Sequence, residues 1–105
     1  DALPIFEVMI TGEKYQEFRK PSQWIKSRLF DSKQCTYKKY DYVKFTNGYG
    51  KDKPFFIAVF LGFGSYLSEK SEVYNYSNGL EVTVNKGDCI IFLGGVTEKG
   101  NLNNE

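Results

Sequence analysis

Lys14, Glu17 and Arg19 place a base, an acid and a second base within one short window, Gly12-Glu13-Lys14-Tyr15-Gln16-Glu17-Phe18-Arg19-Lys20. Gathered in a cleft, these types suit a nucleotide. Arginine offers a planar fork to a phosphate or a base edge, lysine a point charge, and glutamate an acceptor for an exocyclic amine. The same set can also do chemistry: a desolvated Lys14 beside Arg19 becomes a base, and Glu17 orients a water. That makes Lys14 and Glu17 the candidate catalytic pair of a metal-independent hydrolase acting on an amide or a phosphodiester. No side chain in the window is a convincing nucleophile, so binding ranks above catalysis. The spacing alone favours a solvated charge pair on a half-buried strand, worth under ~1 kcal/mol, over a functional cleft.

The elements around the window decide which faces these groups share. In a regular strand Tyr15, Glu17 and Arg19 lie on one face, with Gln16 and Phe18 on the other. Lys14 joins Glu17 only if it sits in a bend after Gly12, which a glycine permits. Phe6, Met9 and Ile10 at helical spacing predict a helix over Pro4–Thr11 that stops at Gly12, followed by a strand over Tyr15–Arg19. A second helix is expected over Pro21–Phe30, capped by Ser22, with Trp24 as its core anchor. Ser32–Lys39 reads as a polar loop.

Beyond Lys39 the pattern is that of strands. Tyr42–Thr46 alternates, and Phe55–Leu61 is apolar on both faces, as a central strand should be. Gly62 and Gly64 mark a bend or bulge. Ser77-Asn78-Gly79 between Val73–Tyr76 and Leu80–Val84 is a hairpin signal, and Cys89–Leu93 is a last apolar strand. Residues 94–105 read as a polar tail, frayed at its end. The expected architecture is a single α+β, β-rich domain over residues 1–105: a small barrel of about five to six strands with two early flanking helices.

Composition removes whole classes of function. The 105 residues include no histidine, which excludes Ser-His-Asp and Cys-His nucleophilic sites and imidazole-ligated zinc. Fourteen basic against thirteen acidic residues leave a net charge of +1, without the broad footprint of a duplex binder, so any nucleic-acid contact must be local. Cys35 and Cys89 form no CxxC pair and read as free thiols in a reducing cytosol ahead of the alternative, a disulfide between them. No membrane-spanning stretch, carboxylate cluster for a metal or cofactor fingerprint is visible, and the expectation is a cytoplasmic protein without membrane, metal or cofactor. Arg28, Lys44 and Tyr49 join Lys14, Glu17 and Arg19 as ligand-binding candidates. Arg28 reads first as a solvated helix residue, with lining of the cleft as the alternative. Lys38, Lys39, Lys44, Lys51 and Lys53 interleave with Tyr37, Tyr40, Tyr42 and Tyr49 in the manner of a surface that tracks a single strand, or equally of plain solvated lysines. Asn47-Gly48-Tyr49-Gly50 is a loop able to close over a ligand, or simply a turn.

On these residues the chain resembles ASCH domains, a branch of the PUA-like superfamily. Gly12-x-Lys14-x-x-Glu17-x-Arg19 after a helix matches that family's signature, supported by Tyr42-Val43-Lys44-Phe45 and the apolar strand at Phe55–Leu61. The resemblance covers about one full domain. It implies a six-stranded or so barrel, a cleft beside the signature, and RNA or a modified nucleotide as partner. One group within the family resembles amidohydrolases of acetylated cytidine that use a Lys, a Thr and a Glu. Their Lys falls on Lys14, but their Thr falls on Glu17, so the nucleophile of that chemistry is missing here. A protein-interaction domain with no nucleic-acid ligand is the third reading.

Overall fold

A computed structural model describes residues 2–22, 30–31, 36–37, 39–48 and 50–102. Trp24, Arg28, Cys35, Lys38 and Tyr49, and most of the helix expected over Pro21–Phe30, lie outside the described residues. The described chain holds one helix, α1 (Ala2–Ile10), and eight strands: β1 (Gln16–Arg19), β2 (Phe30–Asp31), β3 (Thr36–Tyr37), β4 (Tyr42–Thr46), β5 (Phe55–Ser65), β6 (Glu72–Asn75), β7 (Glu81–Val84) and β8 (Cys89–Gly100). The fold is small, β-rich α+β.

Helix α1 carries Pro4 in its first turn, where a missing N–H costs nothing. It ends where expected. Gly12 turns at φ +86°, its N–H bonding the Met9 carbonyl, and the Lys14 N–H returns to the Val8 carbonyl at 2.8 Å. Phe6, Val8 and Met9 are buried, and Phe6 packs on Phe56 with ring centroids 5.4 Å apart.

Four strands form one antiparallel sheet in the order β1-β8-β5-β4. Its spine is the long pair β5–β8, interrupted by three register shifts. Ile57 opposes Glu98 and Ala58 opposes Val96, so Thr97 is an extra residue on β8. A second extra residue falls at Gly94–Gly95, and Leu61 is the extra one on β5, just before Gly62 at φ +131°. Bulges bend a strand and raise its twist. The sheet curls into half a barrel over α1, burying Phe56, Ala58 and Leu93 on its concave face with Val43, Phe45, Ile91 and Val96 beside them.

Some expectations change. Residues 94–100, read as tail, are the second half of β8, because their partners Phe55 to Ala58 supply the apolar side of the pairing. The Ser32–Lys39 loop contains β3, and Phe30, expected to end a helix, opens β2 and pairs with Tyr37. The Asn78-Gly79 hairpin forms as β6–β7, and its Tyr74 stacks on Phe18 at 5.3 Å. The hairpin tip also docks on the first element. Ser77 donates its N–H and hydroxyl to the Glu13 carboxylate at 2.7 and 2.6 Å, and Asn78 donates to the Pro4 carbonyl at 3.0 Å.

Candidate functional site

Strand β1 is an edge strand, and its hydrogen-bonding phase places the signature. The Leu93 N–H bonds the Tyr15 carbonyl, so residues 15, 17 and 19 face β8, while Gln16 and Phe18 turn their backbone groups to the open edge. The signature side chains cover that edge. Lys14 donates its ammonium to the Gln16 carbonyl, and the Phe18 N–H donates to Glu17 Oε1 at 3.1 Å. Lys14 escapes strict alternation because it sits in the bend after Gly12. Its Nζ lies 3.5 Å from Glu17 Oε1 and 4.9 Å from the centre of the Phe18 ring.

Glu17 is the hub of this cluster. Its Oε2 accepts from Arg19 Nη2 at 3.3 Å, and its side chain is 10% exposed, against 1% for Lys14 and 50% for Arg19. Burial pulls the Lys14 ammonium below the ordinary lysine range; Glu17 opposes that shift and Arg19 adds to it. The cation stays because a carboxylate, a carbonyl and an aromatic face surround it.

In front of Glu17 lies a hollow of about 270 Å³. Glu17 and Arg19 form its polar side; Ile5, Phe6 and Met9 of α1, with Phe45 and Phe56 of the sheet, form its apolar side, and Thr46 sits at the rim. It opens between β1 and β4, the two edge strands that the curl brings toward each other. Lys14 stays behind Glu17 and does not line it. A carboxylate has about four acceptor sites. Among the described residues, two on Oε1 are engaged by the Phe18 N–H and Lys14 and one on Oε2 by Arg19, which leaves one Oε2 site on a residue that lines the hollow.

The chain was compared with protein-family models, with curated proteins and with solved structures, and none of the three yields a match.

Of the residues picked out by sequence, the fold brings Lys14, Glu17 and Arg19 together. Lys44 does not join them. Its neighbours Val43 and Phe45 pack toward the core, so Lys44 points to the convex face, where its Nζ sits 4.4 Å from the Phe55 ring centre. Arg28 and Tyr49 lie outside the described residues. The hollow's apolar wall, by contrast, reads in sequence only as core; the Phe6 and Met9 spacing marks an inward helix face, and nothing local says that the face stops short of closing on β1. A wider hollow of about 690 Å³ flanks the other side of α1 beside Glu7, Glu13, Ser77 and Asn78, and contains none of the expected site residues. Among the described residues no cluster of metal-ligating side chains occurs, and no helix is long and apolar enough to cross a membrane.

Proposed function

We propose that this chain is an ASCH-like, PUA-like module that binds RNA or a modified nucleotide, taking one base into the hollow beside Glu17 and Arg19. The observation that carries the reading is the pairing of an apolar, aromatic-walled hollow with a single open carboxylate acceptor and a half-exposed guanidinium at its edge. At about 270 Å³ it falls just under the roughly 300–1,000 Å³ usual for drug-sized ligands, a size for one base rather than a run of them. A base N–H donates to Glu17, and Arg19, with donors to spare, reaches an adjacent acceptor or a phosphate. Lys14 serves this site as a positioning residue: it touches Glu17, not the ligand.

Binding fits the geometry better than turnover. A general base must reach the proton it removes, whereas the Lys14 ammonium is enclosed by Gln16, Glu17 and Phe18.

The test is a thermal-shift panel of nucleosides, modified nucleosides and short single-stranded RNAs, since a ligand of the native state raises the melting point. A hit is then titrated against Arg19→Ala. Its half-exposed ion pair is worth at most about 1 kcal/mol to the fold, so affinity should fall while the Tm drops by no more than about 4–8 °C. Undiminished affinity in that variant, or no stabilisation by any member of the panel, refutes the reading.

A further inference from the structure

The tip of the β6–β7 hairpin is fastened to α1, and to the bend after it, by one side-chain amide and one carboxylate. Asn78 Nδ2 donates to the Pro4 carbonyl at 3.0 Å and to Glu7 Oε2 at 3.4 Å. Beside it the Glu13 carboxylate takes both the N–H and the hydroxyl of Ser77. Asn78 is followed by Gly79, and that pairing has its own chemistry. A glycine carries no side chain to keep its nitrogen from the asparagine amide carbon, so Asn-Gly closes readily into a cyclic imide. The chain has a second such pair at Asn47-Gly48. At Asn78 the nitrogen that would be lost is itself the donor that holds two elements together.

The docked tip guards against this closure. The Gly79 N–H bonds the Tyr76 carbonyl at 3.0 Å, and Asn78 Oδ1 accepts from the Leu80 N–H at 3.1 Å. Ring closure needs the Gly79 nitrogen stripped of its proton and the Asn78 side chain turned onto it, so these bonds and those to α1 must break first. The reaction therefore runs through the released tip, at a rate set by how often the tip opens.

We propose that Asn78 is a self-modifying site: when the hairpin tip leaves α1, the side-chain amide is lost to the Gly79 nitrogen, and the resulting acid keeps the tip from docking again. The Gly79 nitrogen gives its proton to solvent and bonds to Asn78 Cγ; the Cγ–Nδ2 bond breaks, and ammonia leaves with a proton taken back from solvent. Water then opens the ring at either carbonyl, leaving aspartate or isoaspartate. No electrons change hands. Either product carries a carboxylate, which accepts hydrogen bonds and cannot donate. It meets the Pro4 carbonyl and the Glu7 carboxylate, two acceptors that the amide had met as a donor, and it repels the second by charge. Isoaspartate also adds a carbon to the main chain inside the turn. Reversal needs ammonia and an activated acyl group, so in water the release is one-way. This inference stands apart from the nucleotide reading: it uses Glu7, Glu13, Ser77 and Asn78, none of which lines the hollow beside Glu17.

The test is to hold the protein at mildly alkaline pH and map it by mass spectrometry, which resolves residue 78 from residue 47 and reads both acid and isoaspartate. Conversion of Asn78 should run at least about tenfold slower in the folded protein than in the guanidinium-unfolded chain. Glu13→Ala removes both Ser77 bonds, leaves the reacting dipeptide untouched, and should speed conversion in the folded protein by about threefold or more. Asn78→Asp supplies the product in pure form. In it the Ser77 amide should exchange hydrogen at least about tenfold faster while the Leu93 amide, bonded within the sheet, stays unchanged. Adding Glu7→Gln to Asn78→Asp returns a donor and should recover part of that protection. Equal conversion rates in Glu13→Ala and the parent protein overturn the proposal, and so does unaltered Ser77 exchange in Asn78→Asp.

Discussion

Lys14→Met is the most revealing single change. It removes the cation 3.5 Å from Glu17 and leaves a carboxylate whose side chain is 10% exposed. Breaking one side of a buried pair costs roughly 3–5 kcal/mol, because the surviving charge is stranded. Arg19 still reaches Glu17 at 3.3 Å from a half-exposed position, and methionine fills most of the vacated volume, so the loss should fall near the low end, about 3 kcal/mol. For a chain of this size, each 1 kcal/mol moves the Tm by roughly 4–8 °C, giving a drop of about 12–24 °C. Adding Glu17→Gln removes the stranded charge while keeping an acceptor for the Phe18 N–H, and should restore about 1–3 kcal/mol, a coupling of the size seen for contacting residues. Urea denaturation of the four proteins in the cycle measures it. A double variant whose loss equals the sum of the two single losses would mean that the pair is not coupled, and Lys14 would lose its role behind Glu17.

Other outcomes follow from single contacts. A Cβ on Gly100 would sit 2.2 Å from Phe55 Cε1, so Gly100→Ala must displace the ring and should cost about 1–3 kcal/mol in urea denaturation; a silent substitution would mean that β8 ends earlier. The two Ser77 bonds hold the Glu13 carboxyl below its ordinary range, so that group's contribution is complete above about pH 4.3, the unfolded value, and is lost as pH falls through the lowered folded value; Glu13→Gln should flatten this part of the acid limb in a pH series of Tm values. Asp88 is buried, pairs with Lys20 at 3.3 Å and accepts from the Asn85 N–H at 2.9 Å, so Asp88→Ala should cost about 1–3 kcal/mol, whereas Lys20→Ala, at an exposed lysine, should cost under about 1 kcal/mol by the same assay.

Local signals carried much of this fold. The stop at Gly12, the limits of β4 at Tyr42 and Thr46, and the hairpin around Asn78-Gly79 each depend on a few adjacent residues, and each is visible without knowing the partner strand. The second half of β8 is not of that kind. Gly94 to Gly100 contains Val96 as its only apolar side chain besides glycine, and becomes a strand because β5 pairs with it. The candidate site divides the same way. Alternation put Glu17 and Arg19 on one face and the bend brought Lys14 to them, but the aromatic wall of the hollow needs α1 to cross the sheet, a contact between distant parts of the chain. Alternation along β4 also put Lys44 on the face opposite Val43 and Phe45, where the structure has it, away from the charged window.

The three extra residues in β5 and β8 also constrain how this chain can vary. Each interrupts the pairing, so removing Thr97 would close the gap between the Val96–Ala58 and Glu98–Ile57 pairs and leave the partners of Glu98, Lys99 and Gly100 as they are. The ladder would run regularly at that end, and the spine would lose one of its bends. The distance between the two outermost strands would then widen, and with it the opening that Glu17 and Thr46 share. Residue count in two strands, as much as the charged window near the amino end, therefore sets the width of the binding space.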